Sequence, residues 1–301
     1  MQEAGQFRSG YIAIIGRPNT GKSTLLNGIV NRKISIVSKK PQTTRWHIQG
    51  VKTTDNYQLV FVDTPGYQTA HNTAINKLMQ REVMNSLSYC DLIIWMTVAM
   101  QWQADDEQLL ALLREAGTPV ILLLNKVDQV TDKQALLPCV DKLSSLYPFR
   151  EIIPLVARKA KDIALLESKV SSYMPAGEML YDADTITDRS ERFITAEYLR
   201  EQIFLQTGDE LPYRTAVTIE KYDEQEKLVS IYATIWIEKE SHKAIIIGEK
   251  GARLKRIGQA ARATIQSLLQ KKVFLQSRVK VKKNWTDDIK ALRQLGYMDA
   301  E

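Results

Sequence analysis

Cysteine and histidine are scarce in this chain. Among its 301 residues only Cys90 and Cys139 carry thiols, and His47, His71 and His242 are scattered. Neither cysteine stands at metal-ligand or redox spacing, which excludes a disulfide scaffold, a zinc module and a dithiol centre and leaves two free thiols as the expectation. No apolar run approaches the roughly 18 to 20 residues needed to span a bilayer, the N-terminus has no apolar leader core, and no stretch reads as an amphipathic membrane helix. A cytoplasmic protein is expected. Internal repeats and low-complexity tracts are also missing.

The hydrophobic fraction of 44% over this length is enough for two domains, each with its own core. The first part alternates short apolar strands with helical segments, the pattern of a mainly parallel α/β sheet with helices on both faces. Met174-Pro175-Ala176-Gly177 ends a helix and leads into a polar, acidic stretch, so we place a first domain at 1–178, a linker at 179–190 and a second domain at 191–301.

Gly16-Arg17-Pro18-Asn19-Thr20-Gly21-Lys22-Ser23 matches G-x-x-x-x-G-K-S/T between the apolar run Tyr11 to Ile15 and a helical pattern, the context of a phosphate-binding loop. Its backbone N–H groups can converge on a polyphosphate because glycines leave the approach open. Lys22 is assigned to the terminal phosphates, Ser23 to a magnesium ion at the start of the helix, and Thr24 to the phosphate-binding set. The base is named by Asn125-Lys126-Val127-Asp128 after the buried-strand run Val120 to Leu124. A carboxylate at Asp128 accepts from the ring N–H and the exocyclic amine of guanine, a donor pair that adenine lacks, so the motif selects GTP over ATP.

Between these motifs, Asp63-Thr64-Pro65-Gly66 closes the strand Tyr57 to Val62. Asp63 is placed to hold magnesium, and Gly66 to donate its N–H to the γ-phosphate at the head of a mobile switch that continues through Tyr67. Upstream, Pro41-Gln42-Thr43-Thr44-Arg45 lies in a long polar connection, where a threonine hydroxyl would complete the metal shell; Thr44 is the first choice and Thr43 the second.

Net charge is +6, but Ser241 to Lys290 holds 13 Lys or Arg against 3 Asp or Glu, leaving −4 for the rest. Phosphate backbones are the commonest ligand of such a concentration, although a solvated face is the plainer reading of charge alone. The surrounding pattern favours RNA. A helix (Arg189 to Leu205), two strands (Tyr213 to Tyr222 and Lys227 to Glu238) and a short helix (His242 to Ile247) precede Gly248-Glu249-Lys250-Gly251. A longer helix striped by Leu254, Ile257, Ala261, Ile265 and Leu268 and a strand (Val273 to Val281) follow it. This order resembles a KH domain of the bacterial topology, a smaller α+β module whose G-x-x-G loop lets backbone approach about four unstacked nucleotides. Gly248, Glu249, Lys250, Gly251, Arg253, Lys255 and Arg256 form the expected RNA site, extended by Lys280, Lys282 and Lys283. Trp285 either stacks a base or caps the domain core. Tyr232 and Trp236 read as structural.

The whole chain from about Gly10 resembles the bacterial Era family of GTPases. The resemblance rests on Gly-Arg-Pro-Asn-x-Gly-Lys-Ser-Thr-Leu-Leu-Asn at 16 to 27, Lys33-Ile34-Ser35-Ile36, Gln42-Thr43-Thr44-Arg45 and Asp63-Thr64-Pro65-Gly66. Ile186-Thr187-Asp188-Arg189-Ser190, Glu210-Leu211-Pro212-Tyr213, the G-x-x-G loop and Leu292-Arg293-Gln294-Leu295-Gly296-Tyr297 extend it. It implies a P-loop GTPase that uses Mg2+ with GTP or GDP and binds the 3′ end of 16S rRNA, not DNA, in small ribosomal subunit assembly. Membrane contact, reported for some members at the inner face of the cell membrane, is at most peripheral.

Two departures stand out. Tyr67 occupies the place of the water-orienting glutamine of Ras-like enzymes. Asn19 resembles the asparagine that holds a monovalent cation in potassium-activated relatives; it either does so here or caps the loop. Where the family has Ser-Ala, this chain has Val156-Ala157. The Ala157 N–H can still meet the guanine carbonyl, while the serine brace on Asp128 is lost and weaker guanine affinity is expected. The competing reading is an RNA chaperone or scaffold whose nucleotide domain binds GDP with negligible turnover.

Overall fold

The computed structural model describes residues 6–40, 42–68, 73–208 and 211–297. Pro41, His71 and Glu210, named above, lie outside them. The described residues fall into two compact units: one runs to Asp188, and the other starts at Arg189 and also takes in residues 36–40, 42, 43 and 73–77.

The first unit holds β1 (Arg8–Ile15), α1 (Lys22–Ile29), β2 (Ile48–Thr53) and β3 (Tyr57–Asp63), then most of α2 (Ala74–Tyr89) and β4 (Leu92–Val98). It continues through α3 (Ala104–Ala116), β5 (Val120–Asn125), α4 (Leu136–Ser144), β6 (Glu151–Pro154) and α5 (Ala160–Tyr173). Its sheet order is β2-β3-β1-β4-β5-β6, with β2 antiparallel to β3 and the remaining pairs parallel. Strands β4 and β5 are buried along their whole length, as strands covered on both faces must be, and this is why they read as unbroken apolar runs. Each Leu or Ile withdrawn from water there contributes roughly 1.5–3 kcal/mol. Strand order reverses beside β1, at the carboxyl ends of β1, β4 and β5, where open α/β sheets bind their ligands.

After α5 the chain doubles back along this unit. Ser9 N–H donates to Pro175 O, the Gln58 side chain accepts from the N–H groups of Leu180 and Tyr181, and Val51 N–H donates to Ile186 O. The stretch from 175 to 188 is thus hydrogen-bonded to the first unit. Cys90 and Cys139 are free. Burial pushes the Cys90 thiol up to about 11. At pH 8 a thiol-alkylating reagent is therefore expected to label the half-buried Cys139 while Cys90 reacts about 100-fold more slowly; equal labelling by peptide mapping would contradict this packing.

In the second unit, α6 (Glu191–Gln206), β7 (Thr215–Glu224), β8 (Leu228–Ile237), α7 (Glu240–Ile247), α8 (Ala252–Leu269) and β9 (Lys272–Val281) follow the expected order, and a short helix not anticipated from the sequence, α9 (Ile289–Gln294), comes after them. Strand β8 is central, antiparallel to β7 and parallel to β9. Its alternate residues Val229, Ile231, Ala233, Ile235 and Ile237 pack against Ile246, Ile257, Ala261 and Ile265 of the helices, and Ile36 joins this core. Strand β7 starts at Thr215, later than expected, because Pro212–Arg214 form a 3-10 turn. Trp285 is fully buried, stacks on Tyr297 and donates its Nε1–H to Arg214 O at 3.3 Å. It caps the core.

Candidate nucleotide site and nucleic-acid interface

The phosphate loop leaves β1 and enters α1 through two backbone positions that demand glycine. Gly16 has φ +146°, and a Cβ there would stand 2.2 Å from Met96 O; Gly21 has φ +111°, and its Cβ would meet Asn125 Nδ2 at 2.3 Å. The Lys22 ammonium lies inside the loop, donating to Gly16 O and Arg17 O at 2.9 Å each. Burial lowers its pKa to about 8, against the pull of Asp63. The Arg17 side chain turns away from the loop interior. It donates to Asp106 Oδ2 at 2.6 Å, Gln103 Oε1 at 2.7 Å and Gln101 O at 2.6 Å, so a part for Arg17 in holding phosphate falls to its backbone alone. Pro18, Asn19 and Thr20 complete the loop, and Thr24 follows Ser23 on the first turn of α1.

Three oxygen-bearing side chains from separate elements meet beside Lys22. Ser23 Oγ lies 2.8 Å from Thr44 Oγ1 and donates to Asp63 Oδ2 at 2.7 Å. Burial raises the pKa of Asp63, while Lys22, Ser23 and Ser35 oppose the shift. Its Oδ1 is buried with no hydrogen-bond partner. Two hydroxyls and a carboxylate with a spare oxygen suit a hard divalent cation. Of the two threonines Thr44 stands in this group, whereas Thr43 Oγ1 is engaged locally, donating to Lys40 O at 2.6 Å and lying 2.6 Å from Ser38 Oγ. Gln42 has φ +56° and donates to Asn76 Oδ1, and Arg45 is buried.

Residues 64–67 run close to the loop. Thr64 donates its hydroxyl to Ile14 O at 2.8 Å, Tyr67 N–H donates to Gly16 O at 3.1 Å, and a Cβ on Gly66 would stand 2.8 Å from the backbone N and Cα of Pro18. The Tyr67 ring packs on the apolar core with Trp102. On the base side, Asn125 donates to Thr20 O at 2.7 Å and accepts the Ala157 N–H at 2.9 Å. That N–H, expected to await a guanine carbonyl, is here used by Asn125. Lys126, at φ +63°, donates to Asn19 O at 2.8 Å. Asp128, in the 3-10 turn Val127–Gln129, has Arg158 Nη2 at 3.5 Å. Val156 N–H donates to Asp162 Oδ2.

Motif reading missed four residues that support the site. Ser35 donates to Asp63 Oδ2 at 2.9 Å, and Asn27 accepts from the N–H groups of Ile34 and Ser35. Both stand inside stretches quoted above for the resemblance, and that was their signal. Asp106 and Asp162 stand in no motif.

In the second unit the G-x-x-G loop joins α7 to α8, with positive φ at Gly248, Lys250 and Gly251. Glu249, Lys250 and Lys255 are exposed; Arg253 donates to Ile245 O, and Arg256 to Gln206 Oε1. Lys280 and Lys282 do not join them. Their ammonium groups lie over the Trp236 ring on the sheet face away from the helices, and Lys283 is exposed beyond the end of β9.

The family model described as 50S ribosome-binding GTPase matches residues 11–126, and the KH domain model matches 210–286. GTPase Era of Azotobacter vinelandii (strain DJ / ATCC BAA-1303) is 44% identical over 300 residues, covering 100% of both chains. The chain belongs to the Era family of GTPases. GTPase Era of Coxiella burnetii (strain Dugway 5J108-111) is 45% identical over 288 residues, 96% of this chain and 97% of the relative. Among solved structures, a variant of Aquifex aeolicus Era bound to GDP.AlF4- superposes with a TM-score of 0.93 at 35% identity, covering 97% of this chain and 99% of that one. Era in complex with MgGDPNP and nucleotides 1506-1542 of 16S ribosomal RNA matches with the same TM-score, identity and coverage. Membership in the Era family bears out the α/β P-loop GTPase fold followed by a KH domain. Among the described residues no helix is long and apolar enough to cross a membrane.

Proposed function

We propose that this chain binds GTP with Mg2+, hydrolyses it to GDP and phosphate, and uses its nucleotide state to control binding of the 3′ end of 16S rRNA during small ribosomal subunit assembly. The observation that carries the catalytic half is the meeting of Ser23, Thr44 and Asp63 beside a buried lysine within a phosphate loop. The RNA half is supported by the KH match and by the relative crystallised with 16S nucleotides. On this reading residues 1–178 form the GTPase domain, 179–190 the linker and 191–301 the KH-type domain.

Loop N–H groups and the Lys22 ammonium bind the β- and γ-phosphates. Lys22 exchanges two carbonyl acceptors for phosphate oxygens without leaving its seat, so its charge is pre-organised against the negative charge of the transition state. Ser23, Thr44 and Asp63 would hold Mg2+, which supplies charge neutralisation between those phosphates. Gly66 N–H serves the γ-phosphate, and Asn125, Lys126 and Asp128 read guanine; Ala157 joins them only by giving up its N–H bond to Asn125. Loss of the γ-phosphate frees Thr44 and Gly66. On this reading nucleotide and RNA affinity are reciprocally linked through these switch segments.

Tyr67 has no amide to orient water, so help comes from elsewhere, and Asn19 is the residue suited to hold a potassium ion. Hydrolysis by the full chain is expected to run faster in potassium than in sodium and to be stimulated by an oligonucleotide copying the 16S 3′ end. The stimulation should vanish in the Glu249→Asp, Lys250→Asp double variant. Equal rates in the two salts would remove the cation from Asn19, and RNA binding without turnover would favour the scaffold reading. Val156→Ser is expected to tighten GDP binding by restoring a hydroxyl near Asp128; an unchanged Kd would mean that Arg158 already supplies the brace.

A further inference from the structure

The sheet of the second unit has one face covered by helices and one face open. On β8, Tyr232, Thr234 and Trp236 alternate with the core residues, and the parallel register sets Gln276, Arg278 and Lys280 of β9 beside them. Paired positions share a face, so Lys272 and Phe274 lie on the open side as well, and Lys282, just past the end of β9, reaches the same side at the Trp236 ring while donating to Gln294 Oε1.

Two features set this face apart from an ordinary solvated surface. Tyr232 is 38% and Phe274 46% exposed, with ring centroids 5.8 Å apart, an aromatic pair presented to water. The ammonium groups of Lys280 and Lys282 lie 5.4 and 5.9 Å from the centre of the Trp236 ring. Carboxylates on the same face are already matched: Glu220 holds Arg278 and Thr234, and Asp223 holds Lys221. Positive charge is therefore in excess next to exposed π faces. Such a surface suits a strand of stacked bases on a phosphate backbone, whereas a duplex hides its base faces.

Strand β9 is an edge strand. At its start an open depression of about 700 Å³ is lined by Tyr232, Lys272 and Phe274 from the open face and by Arg262 and Gln266 from α8. Residues from both sides of the sheet thus meet round a free edge, which offers a path between the helix side, where the G-x-x-G loop lies, and the open face.

We infer that the open face of β8 and β9 is a second contact surface for single-stranded RNA, distinct from the G-x-x-G loop. Unpaired bases stack on Tyr232 and Phe274, and Lys272, Lys280 and Lys282 meet the phosphates. The inference rests on the RNA-binding reading of the KH-type domain and extends it, since the loop itself takes only about four nucleotides.

The test titrates the full chain with fluorescein-labelled unstructured RNAs of about four and about twelve nucleotides. The Tyr232→Ala, Phe274→Ala double variant is expected to bind the longer RNA about tenfold more weakly and the shorter one as before. Lys272→Gln with Lys280→Gln should flatten the salt dependence for the longer RNA only. Unchanged binding of the longer RNA in both variants would overturn the inference, whereas a wild-type chain that binds neither RNA would overturn the KH reading instead. Should the aromatic variant fail to fold, photocrosslinking of a 4-thiouridine-bearing long RNA to the wild type decides. A crosslinked peptide containing Tyr232 or Phe274 is expected, and crosslinks confined to residues 248–256 would sink the proposal.

Discussion

Replacing Asp128 with asparagine is expected to weaken GTP binding by about three orders of magnitude or more while creating affinity for xanthosine triphosphate. The carboxylate is a double acceptor for two guanine N–H donors; an amide presents one acceptor and one donor and sets its own donor against a guanine donor, which is left unpaired. Xanthine carries a carbonyl where guanine has its amine, so the amide donor finds a partner there. The structure makes the exchange clean, because Asp128 has only a partly exposed contact at 3.5 Å to Arg158 and no role in the core. Calorimetric titration with both nucleotides checks it, and an unchanged preference for GTP would remove Asp128 from the base site.

The second large effect is expected at Lys22. Lys22→Ala should lower single-turnover hydrolysis by about 10²- to 10³-fold, the loss that follows removal of one pre-organised donor from a developing anion. Stability should change far less. The variant orphans two carbonyls, Gly16 O and Arg17 O, but it also removes a cation that burial disfavours, as the lowered pKa of Lys22 records. A thermal melt beside the kinetic measurement separates the outcomes. Equal loss of both would make Lys22 a structural residue, and retention of hydrolysis would remove it from the phosphates.

Sequence reading located elements where one period dominated. Strand β5 was visible because burial on both faces demands an unbroken apolar run, and β8 because one face is core and the other open. The edge strand β2 was not read from the sequence: IQGVKT mixes glycine and lysine with few apolar residues, and half its positions are only partly buried. The site was legible where spacing along one loop does the work, as in the phosphate loop and the Asn125 to Asp128 turn. It was illegible where the partner is remote. Arg17 and Asp106 stand 89 residues apart, and no local pattern announces that a loop arginine will be tied to the first turn of α3. Lys280 and Lys282, at and just past the end of β9, show the same limit, since charge counts along the chain carry no information about which face of a sheet a side chain takes.

Asn125 joins the two ends of the nucleotide site through its own side chain, giving a hydrogen bond to Thr20 O and taking one from Ala157 N–H. The loop for phosphate, the loop for the base and the turn after β6 are thereby tied through one amide. Pre-organisation of this kind lowers the ordering cost of binding at both ends together, since a shift of this one side chain is felt by the phosphate loop and the base loop alike.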